Sequence, residues 1–236
     1  MDNTSDFRVR RVLEGWAREA PPLPDSRLPV SEVVLQRILP TLSAICSTPF
    51  ETVLFQTAFT VAFFAATRIS ELLPKSKSDK SQRAIQVDNI TIGEKGMSVR
   101  FRCSKTDQLR RGQAIFLNRA PLGQICPVGL LERYLRMRPP VTGSLFVHAS
   151  GVPLTQFQFL AVFKKAVMKV GLSPDHFSSH SFRIGAATAA ATHGLPSAIV
   201  RKASFLWSGS SDTALYFGRN VMQSSPAEGP TWVCQR

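Results

Sequence analysis

The stretch that decides the fold is His180-Ser181-Phe182-Arg183-Ile184-Gly185-Ala186-Ala187-Thr188, in the last quarter of a chain of 236 residues. Its small residues predict a helix over 181–192 that ends at Gly194. Because small side chains let a helix pack closely against its neighbours, we expect this helix to hold His180 and Arg183 rigidly. His180 precedes Arg183 by about one helical turn, so both side chains can face one pocket.

Upstream of this helix, an uncharged apolar run over 52–67 leads directly to Arg68. A run of this length is short for a bilayer and predicts a helix buried in the protein core. Such a helix would deliver the Arg68 guanidinium from the core to a surface cleft, where Glu71 could orient it. A buried run that ends in one arginine therefore indicates a site.

Downstream, the informative residues are Trp207 and Tyr216. The chain has two tyrosines. Tyr134 lies in a stretch typical of an ordinary amphipathic helix, whereas Tyr216 lies in a segment (211–217) that begins like a capped helix. Tyr216 is therefore the tyrosine to consider for chemistry.

The order of these residues resembles that of the tyrosine recombinases, or phage-integrase superfamily. Ala66-Thr67-Arg68-Ile69-Ser70-Glu71-Leu72 is similar to the first arginine motif, Ser104-Lys105-Thr106-Asp107 to the lysine turn, 180–188 to the second arginine motif, and 207–216 to the third. The resemblance extends over roughly residues 28–219. The last two motifs are most similar to recombinases of DIRS-type retrotransposons in animals.

The resemblance implies an α+β fold that is mainly α-helical, with a small antiparallel three-stranded sheet. It also implies a site-specific enzyme that cuts and rejoins DNA through a 3′-phosphotyrosine intermediate, without metal, ATP or another cofactor. The catalytic residues that it implies are Arg68, Lys105, His180, Arg183, Trp207 and the nucleophile Tyr216.

The residue types fit this chemistry. Two guanidiniums, on Arg68 and Arg183, can neutralise the charge that grows on the phosphate oxygens in the transition state. His180 suits proton transfer from the tyrosine, although a histidine alone is more often structural. Lys105 can protonate the leaving 5′ oxygen, or be one lysine among many. Trp207 can donate to a phosphate oxygen or simply pack at a helix end.

Charge favours a polyanionic partner. The 29 basic residues exceed the 16 acidic ones, which gives a net charge of +13. Between Lys75 and Arg119, eleven basic and four acidic residues leave +7, either as a solvated hairpin or as a phosphate-contacting surface. We expect double-stranded DNA as partner, with self-association on DNA. The predicted DNA-binding residues are Lys75, Lys77, Lys80, Arg100, Arg102, Arg110 and Arg111.

The sheet is predicted from period-two alternation over 97–103, with flanking strands at 85–87 and 114–117 and Lys105 leading into the second turn. Further helices are predicted over 7–20, over 31–45 with a break at Pro40, over 122–137 and over 155–170. The alternation is that of a half-buried sheet, in keeping with the fold that the resemblance implies.

Domain boundaries follow from the proline-rich stretch 21–29. Residues 1–27 are interpreted as a remnant helix of a core-binding domain plus linker, 28–220 as the catalytic domain and 221–236 as a flexible tail. No signal peptide, membrane span, zinc spacing of the four cysteines or small-molecule motif is recognised, so we expect an intracellular protein, nuclear if eukaryotic.

Two function classes compete. The first is an active recombinase of a mobile element. The second is a catalytically silent DNA-binding protein, truncated or domesticated from such an element. A type IB topoisomerase shares the chemistry and ranks third. Random decay should erode the six-residue set, and all six positions hold usable side chains, which favours descent from an active enzyme.

Overall fold

A helix buried on all sides organises the fold. The computed structural model describes residues 6–19, 27–79, 81–101, 113–192 and 232–233. This part of the chain is mainly helical with one small antiparallel sheet, which confirms the predicted fold class. The helices are α1 Phe7–Glu19, α2 Glu32–Thr41, α3 Pro49–Phe64, α4 Ile69–Leu72, α5 Pro127–Met137, α6 Gln156–Lys169 and α7 Ser179–Thr192; the strands are β1 Ile90–Ile92, β2 Gly96–Phe101, β3 Gln113–Asn118 and β4 Trp232–Val233.

The buried helix is α3. The Thr48 hydroxyl accepts from the Glu51 N–H at 3.1 Å and Pro49 occupies the first turn, so α3 begins three residues before the predicted start. It also ends three residues early, at Phe64. The chain then turns at Ala66, which has a φ of 47°, and Arg68 becomes the N-cap of α4 rather than the last residue of α3.

An aromatic cluster joins α3, α6 and α7. The Phe59 ring lies edge-on to Phe159 at 4.8 Å between centroids, and Phe163 lies 4.7 Å from Phe182. All four side chains are fully buried or nearly so. Each such ring pair contributes on the order of 0.5–1.5 kcal/mol beyond simple burial. The cluster therefore fixes α7, and with it the residue after Phe182.

The sheet has the predicted centre and a different first strand. β2 pairs antiparallel with β3, from Gly96 opposite Asn118 to Phe101 opposite Gln113. The prediction of a strand at 85–87 is wrong, because β1 begins at Ile90. The Asn89 side chain accepts from the Gln86 N–H at 3.0 Å and closes a 3₁₀ turn, which delays the strand.

A fourth strand extends the sheet. Trp232 and Val233 pair antiparallel with Leu117 and Phe116 on the free edge of β3. At these two residues the chain differs from the predicted flexible tail. An edge strand presents unpaired N–H and C=O groups that any extended segment can pair with, and no periodic signal is needed for that.

The remaining helices form where they are predicted, although α5 begins at Pro127 rather than at 122 and α2 ends at Thr41 rather than at 45. Ser31 caps α2 by accepting from the Val34 N–H at 3.2 Å, and α2 ends one residue after Pro40. Helix α1 forms as predicted, with exposed Phe7 and Trp16 side chains. Its assignment to a core-binding domain stays a prediction. No helix within the described ranges is long and apolar enough to cross a membrane.

Candidate active site

Arg68 is held by Glu71 through two contacts. The Arg68 Nη1 donates to Glu71 Oε1 at 2.9 Å, and the Arg68 backbone N–H donates to Glu71 Oε2 at 3.0 Å. Glu71 is only 4% exposed, whereas the Arg68 side chain is 26% exposed. A buried carboxylate that engages both the backbone and the side chain of one residue orients that residue strongly. The expectation that Glu71 orients Arg68 is confirmed.

Arg183 lies in the same electrostatic neighbourhood. It is 8% exposed, on the first part of α7. Burial lowers the pKa of Arg183, the like charge of Arg68 lowers it further, and the opposite charge of Glu71 raises it. Two arginines from distant parts of the sequence thus come within electrostatic range, and the Glu71 carboxylate that pairs with Arg68 also acts on Arg183. An arginine remains charged under these conditions.

His180 lies on the first turn of α7, three residues before Arg183, and is exposed. Its backbone N–H donates to the Ser178 hydroxyl at 3.2 Å. The i,i+3 spacing puts His180 and Arg183 on one side of the helix. His180 is exposed, whereas Arg183 one turn later is buried.

Helix α7 is docked against the chain at Val30. The Val30 N–H donates to the Ser181 carbonyl at 2.9 Å, and Gly185 lies so close that an added Cβ would collide with the Val30 carbonyl oxygen. The predicted close approach of the small-residue helix is thus confirmed. Rigid docking at 181 and 185 leaves Arg183, between them, little freedom to move.

The segment after α4 is tied to α6. Gln156 donates from Nε2 to the Leu73 carbonyl at 2.9 Å, and its backbone N–H donates to the Pro74 carbonyl at 3.1 Å. The basic loop, residues 75–83, follows directly. Lys75 and Lys77 in this loop are exposed.

Asp79 organises the basic loop and was not singled out from the sequence. Its carboxylate accepts from the backbone N–H groups of Lys75 at 3.0 Å and Ser81 at 2.9 Å. These bonds lower the pKa of Asp79. A lone aspartate among serines and lysines is the signal that could have identified it, since aspartate side chains often close turns on their own backbone.

The other predicted basic residues divide into two groups. Arg100 is exposed on β2. Arg119, counted in the +7 span, donates to Glu132 at 2.9 Å and to the Glu94 carbonyl at 2.9 Å, so its charge is balanced locally. Seven predicted site residues lie outside the described ranges: Lys80, Arg102, Lys105, Arg110, Arg111, Trp207 and Tyr216.

Tyr134, the other tyrosine, is structural. Its ring is fully buried, its hydroxyl lies 3.0 Å from the Val147 carbonyl, and it accepts from the Val147 N–H at 2.8 Å. Burial raises its pKa. A buried phenol with both roles of its hydroxyl satisfied is unsuited to attack an external phosphate.

Cysteines and acidic residues form no metal centre in the part of the chain that the structure describes. Cys46 and Cys126 are free thiols there, and both are half-buried. Burial and the charge of Glu51 raise the pKa of Cys46 to about 11, so this thiol is protonated and unreactive at neutral pH.

The fold is that of the catalytic domains of DNA recombinases. XerH site-specific recombinase, in a pre-cleavage complex with its difH substrate, matches with a TM-score of 0.54 at 16% identity, over 84% of this chain and 52% of that chain. A lambda integrase (75–356) dimer bound to a COC′ core site matches with a TM-score of 0.56 at 16% identity, over 95% of this chain and 72% of that chain. At such identities the likeness shows the fold alone.

Family membership comes from the sequence. Residues 34–220 match the model of the phage integrase family, and the chain belongs to that family. An integrase/recombinase xerD homolog of Selenomonas ruminantium is 32% identical over 122 residues, which are 47% of this chain and 34% of the relative. The chain thus spans about a third of that relative and about half of the XerH chain.

Proposed function

We propose that this protein is a DNA strand transferase of the tyrosine recombinase type, acting at specific sites on double-stranded DNA. The observation that carries the proposal is that the charge of Arg68 helps to lower the pKa of Arg183, while Glu71 holds Arg68 through two contacts. Two adjacent guanidiniums match a tetrahedral phosphate and stabilise the further charge that develops as it becomes pentacoordinate.

In this mechanism the Tyr216 hydroxyl oxygen attacks the phosphorus. A Tyr216 O–P bond forms, the bond from phosphorus to the 5′ oxygen breaks, and a 3′-phosphotyrosine ester and a 5′ hydroxyl result. His180 accepts the phenol proton and Lys105 protonates the leaving 5′ oxygen. Trp207 donates its indole N–H to a phosphate oxygen. The structural role of Tyr134 supports Tyr216 as the nucleophile.

The basic loop supplies affinity rather than chemistry. Lys75 and Lys77 are exposed close along the chain to Arg68, and Arg100 is exposed on β2. Phosphate contacts of this kind release counterions, so we expect binding to duplex DNA that weakens steeply with salt. The recombinase dimer on DNA among the structural neighbours supports self-association of this chain on DNA as well.

We propose further that the chain derives from a DIRS-type retrotransposon and acts in a nucleus. The resemblance of 180–188 and 207–216 to those elements supports this. Residues 1–27 would then be the end of a core-binding domain.

The test is transfer of a labelled strand to the protein. A pool of nicked duplexes, random around the nick and labelled at the 5′ end of the retained strand, traps a phosphotyrosine adduct once the short fragment diffuses away. The parent protein should become labelled and Tyr216→Phe should not. Tyr134→Phe is the matched control: it lowers stability through a lost hydrogen bond, and the adduct should still form.

The second candidate is a DNA-binding protein without catalytic activity. The observation that favours it is that Lys75, Lys77 and Arg100 are exposed on a chain of net charge +13, which favours DNA binding and requires no catalytic residue. If so, the parent protein would retard duplex DNA in a salt-dependent manner and never become labelled. If the Tyr216→Phe variant still became labelled, a residue other than Tyr216 would be the nucleophile.

A further inference from the structure

Two adjacent residues immediately before Arg68 adopt an arrangement that carries a free-energy penalty. Ala66 has a φ of 47°, a left-handed conformation that residues with a Cβ seldom adopt. Its N–H donates to the Phe63 carbonyl at 3.0 Å, so the turn that ends α3 depends on this conformation. The Ala66–Thr67 turn, defined by these two residues, delivers the chain to Arg68.

Thr67 carries the second penalty. The residue is 2% exposed, and its hydroxyl oxygen is buried without a hydrogen-bond partner among the described residues. A buried hydroxyl that has lost its water and gained no partner is destabilising. Such groups are few in folded proteins. This one adjoins Arg68, which Glu71 holds by an ion pair and whose charge reaches Arg183.

We propose that Thr67 is a phosphate-contacting residue of the arginine site, which is the site formed by Arg68 and Arg183. The Thr67 hydroxyl donates to an oxygen of the bound phosphodiester. The proposal rests on the proposed function, since it needs a phosphate at Arg68 and Arg183. The left-handed turn at Ala66 relaxes as the phosphate is seated, and the Thr67 hydroxyl then obtains the partner that it lacks among the described residues.

The chain offers a matched control in Thr60. Its hydroxyl is also buried and has no partner in the described part of the chain, but it lies inside α3, about two helical turns before Thr67. Thr57, one turn earlier, differs in that its hydroxyl lies 2.7 Å from the Val53 carbonyl and 3.2 Å from the Leu130 carbonyl. Replacing each threonine by valine removes the hydroxyl at nearly constant shape.

The experiment uses inorganic phosphate as the probe. Phosphate is titrated into the full chain while the ¹⁵N guanidinium signals of Arg68 and Arg183 are followed, and each variant is also melted without phosphate. Thr67→Val should raise the melting temperature by about 2–4 °C, and should weaken phosphate binding by about five- to ten-fold. Thr67→Ser keeps the hydroxyl and should keep the affinity.

The controls separate the outcomes. Thr60→Val should raise the melting temperature and leave phosphate affinity unchanged, and Thr57→Val should lower the melting temperature. Equal phosphate affinity in Thr67→Val and the parent would overturn the inference about Thr67 and leave the proposed function standing. A lower melting temperature for Thr67→Val would also overturn it, because the hydroxyl would then already have a partner. Parent signals that ignore phosphate would overturn the inference together with the proposed function.

Discussion

The arginine site and the basic loop differ in how deeply their charged residues are buried. Arg183 is buried on a helix that is fixed by Phe182 and Gly185. Lys77 is exposed on a loop in which the Asp79 carboxylate accepts from the backbone N–H groups of Lys75 and Ser81. Groups that stabilise a transition state must be placed before the reaction, whereas groups that attract DNA need only be charged and near. Under the proposed function, the burial of Arg183 suits the first task and the exposure of Lys77 suits the second.

The largest effect should come from the shape of a guanidinium. Arg183→Lys keeps the charge and loses the planar fork, so strand transfer should slow by about 100-fold or more. The rate of label transfer at saturating DNA measures this, and gel retardation should show nearly unchanged binding. An unaltered rate would show that the Arg183 guanidinium does not stabilise the transition state. The contrast between the arginine site and the basic loop would then fail.

The next effect tests how rigidly α7 is docked. Gly185→Ala forces a methyl group into the Val30 carbonyl and should destabilise the fold by about 1–3 kcal/mol. Denaturant unfolding measures it. Gly129→Ala, on helix α5, is the matched control, since the added methyl meets only the Cys126 side chain at 3.6 Å. That variant should be neutral or stabilising. Equal losses in both variants would show that the Val30 contact is unimportant.

The basic loop should affect binding and not rate. Lys77→Gln should weaken binding to duplex DNA and reduce the slope of log affinity against log salt by about one. Label transfer at saturating DNA should be unchanged. Arg119→Gln removes the same charge from the same span, but Arg119 is bonded to Glu132, so its effect on the salt slope should be smaller. A larger slope change for Arg119 would contradict the assignment of the DNA surface.

The smallest effect concerns the order of the basic loop. Asp79→Asn weakens the two carboxylate bonds, so trypsin should cleave after Lys75 and Lys77 faster than in the parent. Because the folded-state pKa of Asp79 is lowered, its contribution is present at neutral pH and is lost only as the pH falls through that lowered value. Proteolysis with an acid-tolerant enzyme at decreasing pH should show the parent approaching the variant. A parent loop that is cleaved equally fast at all pH values would contradict this.

The sequence predicted elements better than contacts. Helix α7 followed from its small residues, yet no pattern identifies Val30 as the backbone against which Gly185 packs. The uncharged run predicts that α3 starts at residue 52. Thr48 and Pro49, which are a capping residue and a first-turn proline, indicate the observed start instead. Residues 85–87 have a pattern suited to a strand, but the Asn89 side chain accepts from the Gln86 N–H and closes a turn there instead.

The candidate site divides in the same way. The order of the motifs predicts that Arg68 and Arg183 act together, and in the fold the charge of Arg68 helps to lower the pKa of Arg183. The free-energy penalty at Ala66 and Thr67 could not be predicted from the sequence. It depends on where α3 ends and on which groups surround the Thr67 hydroxyl. Lys105, Trp207 and Tyr216 lie outside the described residues and stay predictions.

One consequence of the aromatic cluster concerns the order in which parts of the structure open on warming. Phe182 is buried among rings from α3 and α6, and the next residue is Arg183. The amide of Arg183 should therefore exchange its hydrogen only when the whole domain opens, whereas amides near Lys77 exchange through local opening. Heating would release the basic loop first and leave the arginine site intact until the core itself melts.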